Sequence, residues 1–496
     1  MEETKEPLFS GNNVAKNSIW SIGEKVFAQL VAFIISVILA RLLSPNDYGI
    51  VALIQAIINF CSFLVERGFG QALVQKKKPD SLDYWSVLIF SLVASFVLYV
   101  LLFIFSYNIA SFFKSYDPSA VSSMIKVMGL TLPISSINMV QKAHISKKMQ
   151  FKKFFWATFV GTVLSGVVGI VIAILGGGAW ALVAQYGINL FIDTVILLIV
   201  MKPKIKLQFS WQRLKELFSF GWKIVAYGIF GTIADTVRST MIAREHSPNN
   251  LAYYNKGESL PKIVVGTFSV SVGNVVFPAL SDFQNDAEKL KETTRRFVRA
   301  SSYIIFPAMI GFFAVSDILI VLLFGSQWAP AVPFLKIFAL IYIFYPLQDA
   351  FLLSLKAIKK SGLVAICGIF GDILTLIILF LLVRQGTIYL AIGYFGAVLL
   401  KVIYQSVILQ KFINYSIKEQ LLDFLTFLFV SLLMGVPVYL LHFIEINNII
   451  LLFIQVFLGM GLYWLFSIIF KLPEYKLFYN FGKRILKKRE IKMKKF

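Results

Sequence analysis

Long apolar runs alternate with short polar breaks along almost the whole chain. Residues 86–105, 188–201, 373–383 and 449–470 carry next to no charge. A membrane-crossing helix needs about 20 apolar residues, because backbone groups in lipid must pair within their own segment. A β-barrel would show alternation of apolar and polar positions, and these runs are continuous. The pattern therefore predicts an all-α polytopic membrane protein of about fourteen spans. They fall near 17–41, 48–66, 84–112, 121–142, 154–175, 179–201, 219–244, 259–282, 297–324, 331–355, 362–384, 387–410, 421–442 and 447–470. The connections are short, and none is large enough to form a soluble core.

Polar residues inside such spans are costly and usually face an interior or a water-filled cavity. Their helical phase is therefore informative. Ser18, Ser21, Lys25, Gln29 and Ser36 lie close to one face of the first span, and Gln55, Asn59, Ser62 and Glu66 stripe the second. The seventh carries Gly228, Thr232, Asp235 and Ser239 with Arg238 beside them. The eighth carries Lys262, Gly266, Ser269 and Gly273. Spans three, thirteen and fourteen lack such a stripe and read as lipid-facing. The simplest geometry is a hydrated cavity lined by spans one, two, seven and eight. Small residues also serve helix packing, but packing does not require the charges at Lys25, Asp235, Arg238 and Lys262.

Cations dominate that face: Lys25, Arg238 and Lys262, with Arg41 and Arg244 towards the outer ends. Cations at a dry-walled site suit an anionic ligand such as phosphate. Gln29, Gln55, Asn59 and Ser269 are its candidate polar contacts. Asp235 is three residues from Arg238, close enough to pair with it. Snorkelling to headgroups is the competing reading for Arg41 and Arg244. Glu24 and Asp235 are the acids expected to titrate with a coupling ion, proton or sodium; no organic cofactor is expected.

A shift of 203 positions superposes span one on span seven: Phe27 on Phe230, Ser36 on Ser239, Ala40-Arg41 on Ala243-Arg244, and Ser44-Pro45-Asn46 on Ser247-Pro248-Asn249. Such a repeat predicts two homologous six-span halves. Six is even, so the halves run in the same direction, related by an axis along the membrane normal. The expected organisation is a segment 1–16, an N-lobe 17–201, a linker 202–218, a C-lobe 219–410, two added spans within 421–470 and a basic tail 471–496. The Ser-Pro-Asn element has a local reason to recur, since proline suits a helix start and serine or asparagine can cap it.

The formal net charge of +22 sits in alternate loops. Lys76 to Lys78, Lys147, Lys148, Lys152 and Lys153, Lys202 to Lys215, Lys289 to Arg296 and the tail are basic, while Gly176 to Gly178, Gly325 to Pro330 and Glu445 to Asn448 are nearly bare. The positive-inside rule places the basic loops and both termini in the cytoplasm. The tail then lies on anionic lipid. No groove-reading module accompanies it, so no nucleic-acid partner is expected. The N-terminus shows no cleavable signal pattern. Cys61 and Cys367 fall in apolar segments, and His144, His246 and His442 are scattered. No metal-ligand or nucleophile–base spacing appears, and no enzyme activity is expected.

Several stretches carry a family likeness: Ala40 through Gly49, Ala72-Leu73-Val74-Gln75-Lys76-Lys77, Tyr253-Tyr254-Asn255-Lys256, Val276 through Ser281, and Phe324-Gly325-x-x-Trp328.

 In their order and spacing over about residues 12 to 415, these stretches make the chain resemble the polysaccharide flippases of the multidrug/oligosaccharidyl-lipid/polysaccharide exporter superfamily, in the O-antigen and exopolysaccharide branch. The resemblance implies two six-helix lobes facing a central cavity, two added C-terminal helices and alternating access. The implied substrate is a polyprenyl-pyrophosphate-linked oligosaccharide whose head crosses while its tail stays in lipid. Other implied partners are membrane lipids and further polysaccharide-assembly proteins, and the implied location is the bacterial cytoplasmic membrane. A cation-coupled multidrug antiporter of the same superfamily is the alternative; it calls for buried acids in excess of bases, the reverse of the cavity face read here. A membrane-bound polymerase or ligase calls for a large outward loop, and the longest here, about 246–257, is small.

Overall fold

The computed structural model describes the backbone of residues 11–148, 150–201 and 208–476. Sixteen α-helices follow one another: α1 (Gly11–Leu42), α2 (Pro45–Gln75), α3 (Ser81–Ser111), α4 (Pro118–Gly129), α5 (Thr131–Lys147), α6 (Phe151–Ile174), α7 (Ala179–Met201), α8 (Trp211–Glu245), α9 (Pro248–Asp282), α10 (Ala287–Phe324), α11 (Val332–Tyr342), α12 (Tyr345–Ala357), α13 (Ser361–Leu382), α14 (Thr387–Ile413), α15 (Ile417–Leu440) and α16 (Asn448–Ile469). No strand occurs among the described residues. The all-α, multi-span expectation holds.

Ten helical segments among the described residues are long and apolar enough to cross a membrane, α4 and α5 counting together as Pro118–Lys147. The stretch from Ser326 to Ala357, bent by 40° between α11 and α12, makes an eleventh if taken as one span. Helices α1, α8 and α9 stand where spans one, seven and eight were expected. Among the described residues α1 contributes the apolar stretch Phe27–Leu42. Length and apolar composition thus give ten or eleven spans among the described residues.

The chain divides into two compact units: Met1–Ala252 with Leu379–Thr387, and Tyr253–Ile378 with Ile388–Phe496. In the first, α8 packs along α2, α6 along α7, and α3 against α4 and α5. In the second, α10 packs on α11, α15 and α16.

Helix starts follow local chemistry. Ser44 caps α2 in a reciprocal box with Asp47, and Pro45 opens the helix. At the repeated corner the Ser247 hydroxyl accepts from the Asn250 N–H at 3.4 Å. The two corners meet inside the first unit: a Cβ on Gly49 would collide with the backbone of Pro248. Only glycine permits that approach.

The helices expected to face lipid also carry buried polar seams. Helix α3 buries Ser86, Ser91, Ser95 and Ser106, α15 buries Asp423 and Ser431, and α16 buries Gln455 and Ser467. Their opposite faces expose large apolar side chains such as Phe96, Ile104, Phe429 and Phe457. Small hydroxyls let neighbouring helices approach and bond their own carbonyls, so these seams serve packing.

Candidate functional site

In the first unit, α2 and α8 hold most of the expected polar positions. The Thr236 hydroxyl donates to the Ala56 carbonyl at 3.5 Å, and Gly228 faces the Phe63 ring. Gln55 is half-buried and Asn59 exposed on α2. Arg238 is buried, and its Nη2 lies 2.9 Å from Asp235 Oδ1 on an exposed carboxylate. That acid therefore sits in an ion pair on its own helix. Arg41 is exposed at the end of α1, as is Gln29 further back. The Arg244 guanidinium lies 4.1 Å over the Phe112 ring and 3.8 Å from Glu245. Glu24 and Lys25 lie outside the residues whose side chains are described.

In the second unit, Lys262 projects from α9 with its side chain 62% exposed, and its Nζ lies 3.6 Å from Glu258 Oε1. Glu258 is buried and accepts from the Tyr342 hydroxyl at 3.2 Å. Tyr342 stacks on Tyr345 across the break between α11 and α12, centroids 4.6 Å apart. Farther along α9 the Ser269 hydroxyl donates to the Asp349 carboxylate of α12. Between them Gly266 faces open space. The expected stripe of α9 thus forms a polar row together with Tyr345 and Asp349 of α12. Such a row offers an exposed cation beside carboxylates and aromatic rings, groups that can hold a phosphate and sugar hydroxyls.

Three further clusters escaped the stripe analysis. Asp193 of α7 meets Lys142 and Asn138 of α5 and Thr158 of α6. Lys256 of α9 lies 4.1 Å over Phe324 and 5.2 Å over Trp328, which brings two of the family-like stretches together. At the starts of α10 and α15, Asp423 receives Arg295 and Arg299. Asp193 is a lone charge in an apolar run. The rule that any ionisable residue within a span is a site candidate would have found it without a stripe. Among the described residues no group of acids, histidines and cysteines is placed to hold a metal ion.

A family model described as a polysaccharide biosynthesis protein matches residues 38–333. Among curated proteins, the chain is 26% identical over 337 residues to the succinoglycan biosynthesis transport protein ExoT of Rhizobium meliloti (strain 1021), covering 67% of each chain. It is 21% identical to the lipopolysaccharide biosynthesis protein WzxC of Escherichia coli (strain K12), covering 65% of each. The matches thus span about two thirds of those relatives' length. Among solved structures, the lipid II flippase MurJ in an inward closed conformation aligns with TM-score 0.76 and 18% identity, over 91% of this chain and 98% of that one. An inward-facing multidrug resistance MATE family transporter of the MOP superfamily aligns with TM-score 0.59 and 15% identity, over 78% and 96%. At such identities the likeness is one of fold.

Proposed function

This chain belongs to the polysaccharide biosynthesis protein family, and we propose that it is a flippase carrying lipid-linked oligosaccharide across the cytoplasmic membrane by alternating access. The observation that carries the reading is the family match over residues 38–333. The names of the relatives, a succinoglycan transport protein and a lipopolysaccharide biosynthesis protein, support a saccharide cargo. The lipid II flippase shares the fold.

The site chemistry fits a polyprenyl-pyrophosphate head. Lys262 offers an exposed ammonium steadied by Glu258, and a phosphate can share that ammonium at little cost because the lysine is already ordered. Arg238, Arg41 and Arg244 are the first unit's candidate cations for an anionic head, and Lys25 is the fourth expected one. Gln29, Gln55, Asn59 and Ser269 would meet sugar hydroxyls. Both termini lie in the cytoplasm in this reading, and other assembly proteins supply and receive the cargo. A proton or sodium gradient is the expected drive.

The test is transport in liposomes that hold the purified full-length chain and a labelled polyprenyl-pyrophosphate oligosaccharide. Appearance of label on the opposite leaflet, above empty liposomes and weakened by Lys262→Met, is the expected result. Movement of a cationic dye under an ion gradient, with no lipid transfer, would instead identify a drug antiporter.

A further inference from the structure

The polar row of the second unit holds more hydrogen-bond acceptors than donors at one of its ends. Asp349 of α12 is half-buried, and among the described residues its hydrogen-bond partner is the Ser269 hydroxyl alone. A carboxylate can accept about four hydrogen bonds, so most of its capacity is unused. The Ser269 hydroxyl gives its single proton to that carboxylate and has only lone pairs left. Gly266, one turn earlier on the same face of α9, is exposed, with nothing within 4 Å of a Cβ built on it. Tyr345, one turn before Asp349 on the same face of α12, is half-buried against Tyr342. The exposed cation of the row stands at its other end. Lys262 precedes Ser269 by two turns, about 10 Å along the helix axis, and its Nζ lies 3.6 Å from Glu258.

We propose that Ser269 and Asp349 form a sugar subsite that recognises free hydroxyl groups and discriminates against sugars whose hydroxyls are acylated, alkylated or replaced by a carboxylate. The proposal rests on the flippase reading of this site and names the class of sugar it takes. Oxygens with lone pairs and no protons call for a ligand that brings protons. Two neighbouring sugar hydroxyls can donate to the two oxygens of one carboxylate, and a further one to Ser269 Oγ. With the phosphate at Lys262, the sugar that follows lies along the open stretch at Gly266 and reaches Asp349. The half-buried Tyr345 supplies apolar surface for the C–H groups between those hydroxyls. Recognition needs no covalent bond and no change in protonation.

An ester, an ether or a second carboxylate would set acceptors against acceptors. An acceptor that loses its water and gains no donor costs free energy, and a site built to bond a hydroxyl strongly rejects analogues that lack it. A phosphate brings acceptors only, so it suits Lys262 and not Asp349. An aliphatic ammonium does bring donors. It would, however, share the row with the exposed ammonium of Lys262, and the family match is to polysaccharide biosynthesis. Both observations favour the sugar.

Liposomes holding the full-length protein and either a labelled polyprenyl-pyrophosphate disaccharide or its fluorodeoxy counterpart test the subsite. Fluorine is no larger than a hydroxyl and cannot donate. The unmodified protein should move the hydroxylated lipid roughly tenfold faster or more. Asp349→Asn puts an amide donor where an oxygen stood, and should reduce that ratio to roughly threefold or less. Ser269→Ala should narrow it in the same direction. Equal rates for the two lipids in the unmodified protein overturn the proposal, as does an undiminished ratio in folded Asp349→Asn. If that variant is not recovered folded, the ratio in Ser269→Ala decides. Block of transport by hexylamine in the unmodified protein, relieved in Asp349→Asn, would assign the position to a cation and overturn the sugar reading. Calorimetric binding of the tail-free disaccharide diphosphate and its fluorodeoxy form separates the two levels of the argument. Preference for the hydroxylated form in binding, with no lipid transfer, would refute the flippase reading and leave the subsite standing.

Discussion

Two carboxylates of the second unit, Asp423 and Glu258, are both buried and both meet a tyrosine, yet their surroundings differ in kind. Asp423 receives Arg295 at 2.6 and 3.1 Å, Arg299 at 2.5 Å and the Tyr415 hydroxyl at 2.8 Å. Arg299 also meets Glu474 at 2.6 Å, and Lys291 meets Glu419 at 2.9 Å. Three cations and three acids close on one another, leaving nothing to offer a ligand. Glu258 has Tyr342 and a lysine that is 62% exposed. A network in which each cation meets an acid holds helices together, and the exposed ammonium of Lys262 has a charge left to give. The first ties α10 to α15 and to the segment after α16. The second stands beside open space at Gly266.

The largest effect should come from breaking the saturated set. Asp423→Ala leaves two arginines without their shared acceptor and should lower stability by about 3–5 kcal/mol, read as thermal unfolding in detergent. A much smaller loss would mean that the network is loosely solvated.

Lys262→Met should do the reverse. Stability should hold within about 0.5 kcal/mol, while transport should fall roughly tenfold or more, as for loss of a hydrogen bond to a charged group. Equal losses in both readouts would erase the contrast. Gly49→Ala tests the close approach of the two repeat corners and should cost about 1–3 kcal/mol of stability through overpacking.

The smallest effect belongs to Asp80, a half-exposed carboxylate that caps α3. The Asp83 backbone N–H, with help from Arg213, holds its carboxyl below the ordinary range. A depressed folded pKa means that its stabilisation is present above the unfolded value of about 3.9 and is lost as pH falls through the folded one. The thermal unfolding temperature should therefore fall slightly below about pH 4, and Asp80→Asn should flatten that slope.

Much of this architecture could be read from the chain. Apolar runs gave the helices, and the Ser-Pro-Asn corners gave two capped helix starts at Ser44 and Ser247. The stripe on α9 located Lys262 and Ser269. Their partners were harder. Glu258 precedes the expected eighth span, and Asp349 lies on another helix in a run with no polar period of its own. Asp193 is one charge among apolar neighbours. Helical phase shows which residues share a face, but not which face it meets, and the partners are set by packing between distant stretches of sequence.

The first unit takes in α8, which begins within the expected linker at 202–218, and Leu379–Thr387 from beyond it. His246 Nε2 lies 2.6 Å from the Val383 carbonyl within it. A gene cut at that linker would therefore divide the first unit between two polypeptides. Co-expressed halves would have to assemble in order to complete the first unit, so the 203-residue repeat does not mark out two separable beads.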